Sequence, residues 1–374
     1  MSYKTIQLSK TADIIIGFPF ASEKFNINAQ GIRLVRGKNI TTGNLRWGDD
    51  TRWWDDSSID LSKYMLKADD IVIGMDGSLV GKNYAKISEN DLPLLLVQRV
   101  ACIRAKEGYD QRFLWGCIAS GKFERYIDSI KTGTSIPHIS GGQIGNYLIP
   151  DFDLPTQKKI AAILSALDEK IAINREINDN LEQQAFALFD SLFPRTIDGS
   201  QTIGDYINPK RGRNLLSKDA VYGTVPVVAG GLEPSTYHNV ANTKAPVLTI
   251  SASGANAGFV NLWLNPVWSS DSSYIDSSMT PNVFFWYILL KGRQKEIFDA
   301  QTGSAQPHIY PQHIAAMPIG NLNQESVSQF TTQVAPLFEL IGANKDENER
   351  LRNIRDALLP RLMSGEIDVT DICI

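Results

Sequence analysis

Pro150-Asp151 followed by Asp168-Glu169-Lys170 has the outline of a PD…(D/E)xK site, in which acidic side chains hold a divalent cation for phosphodiester cleavage. Such a site needs its last acid and its lysine on one face of a strand, which a spacing of two allows. Here the triplet lies in a helical pattern, where residues two apart point roughly 200° away from each other. The nuclease pattern is therefore rejected. Gly74 to Asn83, GMDGSLVGKN, has the glycines of a phosphate loop but the wrong spacing, and Asn83 stands where a Ser or Thr is needed. Ser251 to Gly258, SASGANAG, is not a dinucleotide fingerprint either, and no NPPY-like or DPPY-like tetrapeptide is present. Cys102, Cys117 and Cys373 lack metal-ligand spacing, and their odd number argues against a disulfide framework. No metal site is expected, and a reducing cytoplasm is the simplest setting.

Two polar signals remain. Trp47, Trp53 and Trp54 beside Arg46 and Arg52 could form a basic and aromatic surface for nucleic acid, although core or loop packing is an equally common fate of tryptophan. His138 and His308 recur in matching Pro-His-Ile segments, which favours a structural or subunit-contact role over metal binding. The net charge of -4 looks wrong for a nucleic-acid binder. Counted by segment, however, residues 1–150 carry 19 Lys+Arg against 16 Asp+Glu and 198–320 carry 8 against 8, while 151–197 has 5 against 8 and 321–374 has 5 against 9. Basic faces can therefore sit on the first and third segments.

The elements that must position these residues come in duplicate. From Thr156 to Phe193, apolar residues at Ile160, Leu164, Leu167, Ile171, Leu181, Ala185, Leu188 and Leu192 alternate four and three apart, with Asn174 and Asn178 completing the seam of a coiled coil. A second seam lies 170 residues later: Phe330, Val334, Leu337, Ile341, Asn344, Asn348, Leu351, Arg355, Leu358 and Leu362. The loops before the helices repeat as well, TGTSIPHI (Thr132 to Ile139) and TGSAQPHI (Thr302 to Ile309). Upstream, PVLTISASGANAG matches the Ile71 to Gly81 region, with Gly254 and Gly258 standing for Gly77 and Gly81. FFWYILLKG (Phe284 to Gly292) matches FLWGCIASG (Phe113 to Gly121). Short strands are expected at Ile32–Val35, Asp70–Gly81 and Leu94–Arg104, then one helix around Gln111 to Lys131. Pro336 should kink or split the second long helix, because proline removes a backbone hydrogen bond and clashes with the preceding turn.

A seam of this kind needs a partner, and the nearest is its own copy. Antiparallel pairing about a local two-fold sets Asn174 against Asn348, Asn178 against Asn344, Ile171 beside Leu351, Leu164 beside Leu358 and Leu181 beside Ile341. Polar meets polar and apolar meets apolar, except where Leu167 faces Arg355. Buried asparagine pairs fix register, because an amide opposite isoleucine would be left unsatisfied. The fold class expected is α+β: two globular mixed α/β domains in a pseudo-two-fold repeat, joined by two long helices forming an antiparallel coiled coil.

These residues resemble the specificity subunits of type I restriction-modification systems. The motifs that carry the likeness are the paired GTSIPHI and GSAQPHI loops, Asn174 to Phe193, Asn344 to Ile367, and the openings IIGFPFASEKF (Ile15 to Phe25) and IGDYINPKRGR (Ile203 to Arg213). The resemblance implies two target-recognition domains (1–152 and 198–322), two long helices (153–197 and 323–364) and a C-terminal tail (365–374). It also implies a non-catalytic chain that binds double-stranded DNA, docks two methyltransferase subunits and, through them, restriction subunits. S-adenosylmethionine and ATP would sit on those partners, and no cofactor on this chain. Each recognition domain would read half of a bipartite site while the helices set the gap. Since polar positions differ between the copies, with Arg33 and Arg36 replaced by Val225 and Val228, an asymmetric site is expected. Reading guanine or adenine edges calls for Arg, Lys, Asn or Gln on exposed loops. The candidates are Arg33, Arg36, Lys38, Asn39, Arg46 and Arg52 in the first domain, and Lys210, Arg211, Arg213, Asn214, His238 and Asn256 in the second. Most should touch phosphate or nothing. Competing classes are a stand-alone nuclease or methyltransferase, disfavoured by the absent motifs, and a structural coiled-coil adaptor, which would not explain copied domains that then diverged.

Overall fold

The computed structural model describes residues 4–133, 136–194, 196, 199–303, 306–370 and 372. Thr134, Ser135, Ser304 and Ala305 of the paired loops, Cys373, and the domain boundary expected between 197 and 198 lie outside the described residues. The chain divides into two compact units, Met1–Ile171 with Arg350–Ile374, and Ala172–Glu349. The first unit is thus closed by both ends of the chain.

In the first unit, a four-stranded antiparallel sheet runs in the order Ala12–Ile16, Val100–Ala105, Ile71–Gly74, Tyr84–Lys86. A three-stranded sheet places Ile32–Val35 between Trp53–Trp54, antiparallel, and Leu94–Leu96, parallel. Thr5–Gln7 pairs with Leu148–Pro150. The second unit repeats the plan: Lys210–Arg211, Ser272–Asp276, Val247–Ser251 and Val260–Trp263 form the larger sheet. Val225–Val228 lies between Thr236–His238 and Trp268–Ser269, and Gln201–Thr202 pairs with Pro318–Ile319. The copied glycines do copied work: Gly77 and Gly254 have φ of 95° and 82°, a left-handed conformation that a Cβ would strain. Each donates its N–H to the proline carbonyl of the Pro-His-Ile loop, Gly77 to Pro137 at 3.0 Å and Gly254 to Pro307 at 3.1 Å.

The single helix expected over 111–131 is two, Gln111–Ala119 and Gly121–Ile130. Ser120 between them is extended, and its hydroxyl caps the Cys117 carbonyl at 2.7 Å, satisfying an acceptor the ended helix would otherwise strand. The second copy also breaks, two residues further along, into Val283–Gly292 and Gln294–Asp299.

The long helices, here α1 (Leu154–Leu192) and α2 (Gln324–Met363), start on side-chain caps. Asp153 accepts from Thr156 N at 3.1 Å, and Asn323 accepts from Ser326 N at 3.0 Å. Of the kink or split expected at Pro336, the split does not occur: α2 is one segment of 40 residues. The lost hydrogen bond costs about 3 kcal/mol. It lies on the solvent side, since Pro336 and Thr332 are exposed, while Val334 and Phe338 on the opposite face are buried. Burying such side chains contributes about 1.5–3 kcal/mol each, enough to carry the helix across the gap.

Nor are the helices mere spacers, because each is part of two cores. Ile160, Ala161 and Leu164 of α1 join Leu359, Leu362 and Met363 of α2 beneath the first sheet and its helices. Ala185 and Phe189 join Val327, Phe330, Val334, Phe338 and Ile341 in the second. Gly116 makes the first packing possible, since a Cβ there would stand 2.7 Å from Met363 Cε and 3.2 Å from Leu164 Cδ1. The stretch after α2 belongs to the same core: Val369 is 3% exposed, and Lys159 donates to the Thr370 carbonyl.

Within the second unit the asparagine register holds. Asn174 Nδ2 donates to Asn348 Oδ1 at 3.0 Å, and Asn344 Nδ2 donates to Asn178 Oδ1 at 2.9 Å. All four are nearly buried, and Asn174 also donates to Glu347 at 2.7 Å. In the first unit Leu164 and Leu358 share one core, as Leu181 and Ile341 do in the second. Arg355, the one polar seam residue expected opposite an apolar one, turns aside to pair with Asp168 at 2.8 Å.

Candidate nucleic-acid interface

In the first domain the segment after Ile32–Val35 begins with a tight turn, Gly37–Asn39, and runs on as a loop to Trp53–Trp54. Five of the six first-domain candidates lie in it. Arg36 Nη2 donates to the Asp50 carbonyl, and burial pushes its pKa below the usual guanidinium range. Its Nε is buried without a hydrogen-bond partner among the described residues. Arg33, inside the strand, donates to the Asp91 carbonyl at 2.7 Å and lies 4.6 Å over the ring of Trp47. These two arginines hold the loop rather than project from it.

Asn39 is a correction of the same kind. At 1% exposure it has no edge to offer a base: its Oδ1 accepts from Arg36 N at 3.2 Å and its Nδ2 donates to the Arg46 carbonyl at 3.2 Å. Lys38 pairs with Asp50 at 2.7 Å across a half-exposed contact, and a hydrogen bond from Lys38 holds the Asp50 carboxyl below its usual range. Arg46 is exposed, and Arg52 donates to the carbonyls of Asp49 (3.2 Å) and Thr51 (2.8 Å). Of the six, Lys38 and Arg46 reach furthest into solvent.

The tryptophans go to packing. Trp54 is buried against Phe20, with ring centroids 4.7 Å apart, and Trp47 Nε1 donates to Asp91 at 3.2 Å. Trp47 and Trp53 are only half-buried.

In the second domain Lys210, Arg211, Arg213 and Asn214 are exposed on and just after the edge strand Lys210–Arg211. Arg211 pairs with Asp271 at 2.5 Å. Asn256 is half-buried in the glycine turn, its carbonyl accepting from Phe259 N at 2.9 Å. His238 is a second correction: it is 7% exposed, its Nδ1 accepts from Val221 N at 3.0 Å, and its ring meets Trp268 edge-on. It holds the chain before Val225–Val228 and is closed to a ligand. His138 and His308 close their loops as expected of scaffold: Thr132 and His138 exchange two backbone hydrogen bonds, and Thr302 and His308 do the same.

Sequence reasoning missed four residues at the top of the larger sheets. Asp76 bridges to His138 and pairs with Arg99 at 2.8 Å. Ser253 bridges to His308, and its hydroxyl donates to Asp271. The signal was faint: Asp76 lies inside GMDG, inspected above only as a phosphate loop, and Arg99 and Asp271 become equivalent only through the sheet register. Cys102 and Cys117 are buried free thiols whose pKa values burial pushes up, which makes them poor nucleophiles.

Against this geometry stand the relatives. A family model described as the type I restriction modification DNA specificity domain matches residues 20–183. The type I restriction enzyme MjaIX specificity subunit of Methanocaldococcus jannaschii is 25% identical over 331 residues, covering 77% of this chain and 76% of that protein. The EcoAI specificity subunit of Escherichia coli is 36% identical over 170 residues, 44% of this chain and 28% of the relative. The crystal structure of a type I restriction-modification S subunit from M. genitalium shares the fold, with a TM-score of 0.59 at 19% identity over 97% of this chain and 96% of that one. Over residues 20–183 the chain thus matches the type I restriction modification DNA specificity domain, and the likeness to specificity subunits extends over most of its length.

Proposed function

We propose that this chain is the DNA-reading subunit of a type I restriction-modification complex, and that its two recognition domains read the two halves of an asymmetric bipartite site. The observation that carries this reading is one frame built twice, down to the left-handed glycines and the Pro-His-Ile loops, with different polar residues mounted on it. A single body would need no second frame. Two identical readers would match inverted half-sites, and two different ones match unlike half-sites.

The paired helices would set the gap between the halves and dock two methyltransferase subunits, with restriction subunits joining through those. This chain contributes no catalytic group in that scheme; S-adenosylmethionine and ATP are bound by the partners, in the cytoplasm. No helix among the described residues is long and apolar enough to cross a membrane.

The test is footprinting on random duplexes with the cognate methyltransferase added. Two short protected segments separated by a fixed unprotected gap are expected, with affinity falling steeply as salt rises because phosphate contacts release counterions. Protection of one continuous segment, or none, overturns the reading.

A further inference from the structure

We infer that a paired Arg–Asp cluster at the top of each larger sheet is the base-reading head of its domain, with Arg99 reading guanine in one half-site and Arg211 in the other; this rests on the function proposed above. The two clusters occupy the same place in the copied frame. Val72 and Ile73 pair with Cys102 and Ala101, as Thr249 and Ile250 pair with Tyr274 and Ser273. Two residues beyond these pairs, Met75 N donates to the Arg99 carbonyl at 2.9 Å and Ala252 N to the Asp271 carbonyl at 3.1 Å. Arg99 therefore corresponds to Asp271, and Asp76 to Ser253.

The frame is kept and the charges are rearranged. In the first domain the cation comes from the loop between Leu94–Leu96 and Val100–Ala105, and Asp76 faces it. In the second domain Asp271 takes the place of Arg99, held by the Ser253 hydroxyl, and the cation arrives from the edge strand as Arg211. At the position matching Arg211 in the sheet register the first domain has Ile16. The same arginine fork is thus delivered from two directions, which aims the two heads at different positions of their half-sites.

A surface ion pair alone does not account for Arg99. Its side chain is 71% exposed, and its backbone is left-handed, with φ of 64°, a conformation that glycine or asparagine adopts more readily. Keeping arginine there favours a role for the side chain. A guanidinium steadied by one carboxylate keeps donors to offer the O6 and N7 of guanine, a bidentate match that a lysine ammonium cannot make. The loop carrying Lys38 adjoins the same spot, since a Cβ on Gly37 would lie 3.4 Å from Asp76 Oδ1. Phosphate-contacting cations and a base-contacting head would then sit side by side.

The experiment is selection of bound sequences from random duplexes by the full chain assembled with its methyltransferase subunits, comparing wild type with Arg99→Lys and Arg211→Lys. Both substitutions keep the charge and a side chain that folds in place. Each is expected to weaken one guanine preference about tenfold, Arg99→Lys in one half-site and Arg211→Lys in the other, with the salt dependence unchanged. Unchanged selection, a uniform loss over all sequences, or both effects in the same half overturns the inference while leaving the bipartite reading intact. A wild-type complex that selects no sequence overturns both.

Discussion

The first and second recognition domains share a topology yet finish their cores from different ends of the long helices. The first core is completed by residues late in the chain, Leu359, Leu362, Met363 and Val369. The second is completed by the opening turns of α2, with Phe330, Val334 and Phe338. A helix pair that supplies core to both domains cannot vary freely, whereas loops over the sheets can. That is why the two copies keep their apolar frame and differ in Arg33, Arg36, Asp76 and Arg99.

The comparison breaks most visibly in the cores. Phe330→Ala should destabilise the second unit by about 3–5 kcal/mol, and Leu362→Ala the first by about 2–5 kcal/mol, because each leaves a cavity in a packed interior. Hydrogen exchange read by mass spectrometry should show each loss of protection confined to its own unit. Spread of either loss through both units would mean that the cores are not separate.

A smaller effect is expected at the seam. Asn178→Leu or Asn344→Leu alone should cost about 1–3 kcal/mol in denaturant unfolding, by burying an amide without its partner. The double variant should lose clearly less than the two single losses combined. Additive losses would show that the 2.9 Å contact carries no coupling.

Smaller again is Arg36→Ala, which gives the first domain the residue that the sheet register sets at that place in the second, Ala229, since Val35 corresponds to Val228 and Gly37 to Gly230. The loop anchored on the Asp50 carbonyl should exchange its amides faster, at a cost of about 1–2 kcal/mol, with the second unit unaffected. Smallest is the pH response of Asp50. Its folded pKa is depressed by the hydrogen bond from Lys38, so its stabilising contribution is complete above the unfolded carboxylate value and is lost as pH falls through the folded one. A carboxyl titration by NMR should place its midpoint below that of an ordinary aspartate, and Lys38→Met should bring it back up.

Much of this was legible before any coordinates. The repeat, the two long helices, and the pairing of Asn174 with Asn348 and of Asn178 with Asn344 follow from periodicity, since one polar position in an apolar seam can be satisfied only by another. The reader candidates were less legible, because arginine and asparagine serve loops as readily as ligands. Asn39 and His238 proved to be interior hydrogen-bonding residues, and Arg33 and Arg36 internal anchors.

What the chain determined by itself is its apolar pattern, hence which segments become helix and strand and how the helices register. What only the tertiary structure decided is which polar groups remain exposed. Pro336 is tolerated because its unbonded face meets solvent while Val334 and Phe338 are gripped by the core. Arg99 meets Asp76, and Arg211 meets Asp271, only because sheet pairing brings together residues far apart in sequence. Periodicity is a local property that a single stretch can display, whereas exposure and charge pairing depend on neighbours supplied from elsewhere in the chain.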